Sequence, residues 1–560
     1  MCIFRRRLVM TTALAAFASV AAQAQTVPGS AQPGLLQQQF EEHNPVPNVG
    51  GNAVISSEPV KAKHTGSQVH FVLHTLTLEG GTAYKADELK PLWADKLGQD
   101  ITLDDLNDIA AQITNYYRNH GYILTRATVP PQRVEGGNVT IRIVEGYVSD
   151  VKIIDKTDKQ DSLVRAYADK ITAAKPLDAA TLERYLLLMD DLPGVEARAV
   201  LVPSPDTQGA TEVDVTITRK PVEFSASTDN RGTRYLGPVE AFATVGFNDL
   251  LGLDEQTQLR AANTIFKWNE MKYGELRHEE QLGDEGLKLI VAGSEIQTKP
   301  RYTLEPLDID GLSKALSVGL SYPYIRSRQE NLFLNTDVTL RDTNTDYLAG
   351  NLFEDRTRVW TAGAAFDMAD SWQGVNRLQG SVSKGLPWDV GVDENSHSRD
   401  TGTADFVKID AKASRLQTIS GPWSAQVSGS GQLSNKPLYA AEEFAIGGGE
   451  FGSAYDPAEI TGDSGIVGRF ELQYNQAPQL QFLQQYQLYG FYEGGAIWNR
   501  DATPGLEDKY DSLTDLGVGA RFNISQSVSG SLEGALPLTH SVETYSGYPA
   551  RVFFGLQYRY

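Results

Sequence analysis

Strict alternation of apolar and polar side chains runs through the final three-fifths of this chain and leaves few folds open to it. The last strand, Val552 to Tyr560, sets Phe554, Leu556, Tyr558 and Tyr560 on one face and Gly555, Gln557 and Arg559 on the other. A soluble sheet seldom leaves four large apolar groups on one side of its last strand. A membrane β-barrel needs this pattern, because lipid-facing and lumen-facing positions alternate and the closing strand must pair with the first. The same texture marks Leu316/Val318/Leu320/Tyr322, Leu332/Leu334/Thr336/Val338/Leu340, Ile466/Phe470/Leu472/Tyr474 and Leu516/Val518/Ala520/Phe522/Ile524. From residue 221 to 560, at about ten residues per strand plus turns and longer outer loops, there is room for about sixteen antiparallel strands. Alternation also marks half-buried soluble sheets, so a large β-sandwich or propeller is the competing fold. Small glycines and serines on the second face favour a wet lumen over a packed sandwich core.

The N-terminus points to the compartment. Arg5-Arg6-Arg7, an apolar stretch from Leu8 to Val20 and the small-x-small site Ala22-Gln23-Ala24 read as a secretory signal covering residues 1–24. The only cysteine, Cys2, leaves with that segment, so the mature chain is thiol-free and has no disulfide framework. Removing three arginines and no acids from a formal charge of −21 leaves −24, which disfavours nucleic acid as a partner. After the signal no run approaches the length of a spanning helix, so entry into a membrane must be by strands.

Residues 25–68 are rich in Pro, Gly, Gln and Ser, with one helical candidate from Gly34 to Glu42 carrying Leu35, Leu36 and Phe40. Pro33, Pro45 and Pro47 confine it to about two or three turns, and so short a helix must dock or stay mobile. Asn48 to Ser67 reads as a flexible linker. Two α+β modules of similar plan follow, 69–146 and 147–220. The first reads strand (Val69 to Glu79), helix (Tyr84 to Leu97), helix (Leu103 to Gly121), strand (Thr125 to Pro130), strand (Asn138 to Glu145). Thr102 is its expected N-cap, with Asp105 three residues on. The second repeats this order from Val148 to Arg219, with helices at Ser162 to Ile171 and Asp178 to Leu192.

Motifs for chemistry are sparse. Gly447-Gly448-Gly449-Glu450-Phe451-Gly452 satisfies G-x-G-x-x-G but leads into a polar loop rather than a helix, so it reads as a turn and not a nucleotide site. His70 and His74 lack a third ligand, and Asp308-Ile309-Asp310-Gly311 lacks a distal carboxylate. No Ser/His/Asp or Cys/His arrangement stands out, and no enzyme, metal or cofactor is expected. The strand Tyr486 to Trp498 is more telling. It places Tyr489, Phe491, Glu493 and Gly495 on the face opposite Leu488, Tyr492 and Trp498, sending Glu493 into the lumen beside glycines that leave room for a lumenal loop. The plainer alternative is that Glu493 faces water in an open pore.

The order of signal, helix with linker, two α+β repeats and terminal barrel resembles the two-partner secretion transporters of the TpsB type, the haemolysin secretion/activation family ShlB/FhaC/HecB. The repeats resemble POTRA domains, including Gly136-Gly137-Asn138-Val139 before the strand ending Val144-Glu145-Gly146. Asp229-Asn230-Arg231-Gly232-Thr233 resembles the start of the family's barrel, and Ser321 to Arg328 with Asn331-Leu332 resembles another family stretch. Glu443 to Gly448 and Thr461 to Gly465 bracket what resembles a long sixth loop folded back into the lumen. The resemblance implies a loop tip at Gly452, Ser453, Ala454 and Tyr455, a wall motif at Phe491, Glu493 and Gly495, and a pore plug made by Leu35, Leu36 and Phe40. Two positions depart from it. The family's tip carries an arginine and its wall an aspartate, where this chain has Ser453 and Glu493. Ser453 cannot form a bidentate arginine–carboxylate pair. The loop must therefore be held by hydrogen bonds to Glu493, by another cation such as Arg469 or Arg521, or by packing of Tyr455.

The implied function is export of a large secreted partner, adhesin or haemolysin-like, captured unfolded by the POTRA modules and passed through a monomeric barrel in the outer membrane. Two rivals stay open on sequence: an outer-membrane insertase acting at the barrel seam, and a passive porin.

Overall fold

The computed structural model describes residues 27–41, 61, 62, 64, 66 and 69–560 apart from 156–161, 205–206, 208, 349, 389–395, 479, 481–482, 503–507 and 546. The signal segment and most of the linker lie outside the described residues.

Sixteen strands form one closed antiparallel barrel. In chain order they are β1 (Val222–Asp229), β2 (Glu240–Asn248), β3 (Gln256–Thr264), β4 (Met271–Leu282), β5 (Leu287–Thr298), β6 (Asp310–Arg326), β7 (Glu330–Tyr347) and β8 (Gly350–Ala369). There follow β9 (Gly374–Gly385), β10 (Val407–Ser420), β11 (Trp423–Ser434), β12 (Ser464–Gln476), β13 (Gln485–Trp498), β14 (Tyr510–Asn523), β15 (Val528–Pro537) and β16 (Arg551–Arg559). The outer wall carries the apolar face read from sequence: Leu316, Val318, Phe470, Val518, Phe554 and Leu556 are exposed. Exposing so many large side chains to water would forfeit about 1.5–3 kcal/mol each. Against lipid that cost disappears. Aromatic pairs sit at both ends of this face, Trp423 against Tyr474 and Phe224 against Tyr558 at one end, Trp498 against Tyr510 at the other. These are the interfacial girdles of a transmembrane barrel. No helix among the described residues is long and apolar enough to cross a membrane.

The barrel closes where β16 meets β1, with five registered pairs from Gly555↔Asp229 to Arg559↔Ser225. Above them the Asn230 side chain acts as a surrogate rung, donating Nδ2–H to Val552 O at 2.9 Å and accepting Phe554 N–H at 2.7 Å.

Two α+β units precede the barrel. In the first, Thr75–Glu79 runs parallel to Asn138–Val144, which pairs antiparallel with Arg126–Thr128. The helix Leu103–Asn119 covers this sheet with Leu106, Ile109, Ile113 and Tyr117, and is capped by Thr102 with Asp105 as expected. Two elements differ from the sequence reading. The strand foreseen from Val69 to Glu79 is split into His70–Val72 and Thr75–Glu79, because Leu73 turns into the core and donates to Gln99 O while His74 donates to Gly137 O. The helix foreseen from Tyr84 to Leu97 is α only over Ala86–Leu89 and continues as 3₁₀ turns at Lys90–Leu92 and Ala94–Lys96. Pro91 supplies no N–H and its ring crowds the preceding turn. The second unit pairs Tyr147–Asp155, Ala210–Arg219 and Val195–Pro203, under helices Ser162–Ala173 and Ala179–Asp190. The units meet through Ala179 N–H to Gly121 O and Leu177 N–H to Gly146 O.

Candidate functional site: the occupied lumen

The segment from Asn435 to Asp463 joins β11 to β12 and folds back into the barrel. Its limbs form a short hairpin, Phe444–Ile446 against Ile460–Gly462. The hairpin lies close to the wall because Gly495 has no side chain: a Cβ there would sit 2.7 Å from Ile446 Cδ1. Beyond it the chain turns at Gly452, whose φ of +76° lies in the left-handed region that glycine adopts without strain. Ser453, Ala454 and Tyr455 are buried.

On the wall, Arg469, Glu493 and Asp515 are direct cross-strand partners on β12, β13 and β14. All three point inward, since Tyr489, Phe491 and Glu493 are buried while Leu488, Tyr492 and Trp498 are exposed. Glu493 Oε2 accepts the Gly452 and Ser453 amides, each at 2.7 Å. Its Oε1 accepts the Ser453 hydroxyl at 3.2 Å and Arg469 Nη1 at 2.5 Å. The Arg469 guanidinium also donates to Ser453 Oγ at 3.0 Å and lies over the Phe491 ring, 4.1 Å from its centroid. Asp515 accepts Ala454 N–H at 2.6 Å, and Tyr455 donates its hydroxyl to Thr514 O at 2.8 Å. The structure thus brings Gly452, Ser453, Ala454 and Tyr455 to Phe491 and Glu493. Of the two wall cations considered from sequence, Arg469 reaches the tip. Arg521 instead pairs with Glu471 at 2.6 Å and covers the Tyr489 ring.

The helix α1 (Pro33–Phe40) lies in the same lumen. Leu35 and Leu36 are buried, and Phe40 packs against Phe242 and Tyr273, 5.7 and 5.3 Å between centroids. Gln37 donates to Ser294 and accepts from Arg341, each at 2.7 Å, while Arg341 Nη2 reaches Glu41 at 2.7 Å. The Gln38 amide bonds to Ala441 O at the root of the inward loop. Both elements therefore share one bore lined by polar side chains, and a carboxylate or amide placed there finds partners on the wall.

The chain matches the family model described as haemolysin secretion/activation protein ShlB/FhaC/HecB over residues 209–522, and the ShlB-type POTRA domain over residues 71–146. It belongs to the ShlB/FhaC/HecB family. Family members are outer-membrane transporters, with the barrel in the outer membrane and the POTRA-type domains on the periplasmic side. Among curated relatives, the heme/hemopexin transporter protein HuxB of Haemophilus influenzae is 20% identical over 92% of this chain and 93% of its own length. The outer membrane transporter CdiB of Dickeya dadantii is 22% identical over 80% of this chain and 79% of its own. Among solved structures, CdiB from Escherichia coli superposes with a TM-score of 0.72 at 19% identity, covering 90% of this chain and 94% of that one. CdiB from Acinetobacter baumannii gives 0.61 at 16% identity, covering 99% and 98%. The family's fold thus places Val222 at the periplasmic end of β1 and the inward loop on the outer side.

With that orientation, the periplasmic turns meet the second α+β unit. Arg184 donates to Pro323 O at 2.9 Å, Lys170 pairs with Glu285 at 2.6 Å, and Arg328 N–H donates to Glu183 at 2.9 Å. The stretch Ser321 to Arg328, singled out in the sequence by resemblance alone, is this docking surface. Sequence reasoning missed Arg399, which bonds both Glu443 and Asp463, at 2.8 and 2.6 Å, where the inward loop leaves the wall. Its only local signal was an arginine in an outer loop, which is usually solvated.

Proposed function

We propose that this protein exports a large secreted partner, adhesin or haemolysin-like, by two-partner secretion: it captures the partner unfolded in the periplasm and passes it through the barrel. The observation that carries this reading is a lumen filled by the chain's own α1 and inward loop. A passive porin gains nothing from closing its bore with two segments of its own chain, whereas a protein-wide conduit must be closed at rest. The edge strands Thr75–Glu79 and Val195–Pro203 offer unpaired backbone to an extended client, and on the second Val200 is 62% exposed. Strand addition suits a client without tertiary structure, since main-chain hydrogen bonds supply affinity and alternate side chains supply selection. Family membership and likeness to the transporters HuxB and CdiB support the same direction of traffic, outward and without catalysis. On this reading the protein works as a monomer, residues 25–67 form a removable plug with its tether, and residues 1–24 are removed on export.

The test is reconstitution. Liposomes containing the purified protein should take up a denatured candidate partner of this class and deliver it to a protease-protected compartment. Solute flux without partner delivery would refute the proposal and favour the porin.

A further inference from the structure

The inward loop carries the wrong charge to anchor itself. From Asn435 to Asp463 it holds six carboxylates, Glu442, Glu443, Glu450, Asp456, Glu459 and Asp463, and one cation, Lys436. Lys436 sits at the root and pairs with Asp405. The buried wall opposite the tip is also acidic, with Glu493 and Asp515 adjacent across the sheet. An acidic peptide pressed against two buried carboxylates would be expelled unless cations stood between them.

Those cations come from the barrel and its neighbouring loops. Lys408 on β10 meets Glu442 at 3.0 Å, Lys412 meets Glu450 at 2.9 Å, and Arg399 meets Glu443 and Asp463. Arg551, the first residue of β16, pairs with Asp456 at 2.8 Å and donates to Ala454 O at 3.1 Å. At Glu493 itself the bridge between loop and wall is Arg469, touching both Ser453 Oγ and Glu493 Oε1. We infer that Arg469 is the positioning residue of the inward loop: it neutralises Glu493 from the wall side, so that a tip with no cation of its own can dock through the Gly452 and Ser453 amides and the Ser453 hydroxyl. The attachment separates into a fixed ion pair within the wall and neutral donors on the loop. Withdrawal of the tip then breaks hydrogen bonds at Glu493 without stripping that carboxylate of its cation. The arrangement rests on the transport reading only for its purpose; its geometry is independent of what is exported.

Relocating the cation tests this. The sequence has one cysteine, Cys2, so Ala454→Cys in a Cys2→Ser background places a single thiol at a buried tip position. The full-length protein, folded in detergent with heat-modifiable migration as the fold check, is treated with a bulky maleimide. The Ala454→Cys protein should be labelled slowly. Adding Arg469→Gln, which keeps length and a hydrogen-bonding end but removes the charge, should speed labelling at least tenfold. Adding Ser453→Arg to Arg469→Gln should restore protection, because the charge again stands beside Glu493, now from the loop. Labelling unchanged by Arg469→Gln, or a double variant no slower than Arg469→Gln, overturns the inference. Arg469→Lys serves where the glutamine variant fails to migrate as a folded barrel, and should label more slowly than Arg469→Ala; equal rates would also overturn it. Partner export is not the readout, so failure of the transport reading leaves this result intact.

Discussion

Arg326, the last residue of β6, grips Asp191 of the second α+β unit through two parallel hydrogen bonds of 2.7 Å, from Nε to Oδ2 and from Nη2 to Oδ1. The arginine side chain is 4% exposed and the aspartate 13%, so the fork is largely shielded from water. Its third nitrogen, Nη1, is occupied by Asn331 at 3.0 Å. The pair fixes where the periplasmic module stands on the rim. Removing one partner leaves the other charged and buried, which costs about 3–5 kcal/mol in shielded sites. Arg326→Ala should therefore loosen docking, seen as faster amide exchange across residues 183–191 in the full-length protein. Unchanged exchange would mean that the Arg184, Arg328 and Lys170 contacts hold the module without the fork.

The seam between β1 and β16 offers a second test. Only five residue pairs close it, against eighteen between β7 and β8. Asn230 extends the closure by imitating a peptide group, one donor and one acceptor to the same neighbouring strand. Asn230→Ala leaves the Val552 carbonyl and the Phe554 amide without that partner, a loss of about 1–3 kcal/mol. The folded band in unheated electrophoresis should then convert at lower temperature. Asn230→Asp keeps the acceptor and loses the donor, so it should fall between.

The Arg341 side chain ties both Gln37 of α1 and Glu41 just beyond it to the wall. Arg341→Ala should let the helix leave more often. Deletion of residues 25–67 should raise single-channel conductance in planar bilayers, and Arg341→Ala should visit that level intermittently. Conductance that matches the native protein in both cases would count against a plug.

Acid should loosen the first α+β unit by a route through Glu145. Its burial pushes the carboxyl up, but the hydroxyl of Thr82, the amides of Ala83 and Thr82 and the hydroxyl of Tyr117 outweigh that and hold it below the ordinary value of 4.5. A carboxylate held low in the folded state adds stability above its unfolded value and loses it as pH falls through the folded one. The unit should thus weaken below about pH 4.5. The edge-packed cluster of Tyr84, Tyr116, Tyr117 and Tyr122 provides the signal through its near-ultraviolet dichroism. Glu145→Gln should shrink this acid limb while lowering the neutral-pH stability, and leave the part due to Asp105, whose carboxyl the Thr102 amide and hydroxyl also hold low.

The periodicity of the chain, with small residues on its second face, favoured a barrel over a sandwich, and made legible the direction of the regularly alternating wall residues and the order of the modules before them. A strand's period of two assigns Glu493 to the lumen and Tyr492 to lipid whatever their neighbours are. The capped helix from Leu103 was equally legible, since Thr102 and Asp105 act within one turn. The interrupted strand at Leu73 was not legible, because its halves are held by segments remote in the chain, at Gln99 and Gly137. Pairings across space decided the rest: that Arg469 rather than Arg521 meets Glu493, that Arg326 finds Asp191, that Arg399 ties two limbs of one loop. Local pattern states that an arginine faces inward; the shear of the barrel and the path of the loop choose its carboxylate. Charge complementarity between distant residues is set by register, and register is settled only when the cylinder closes.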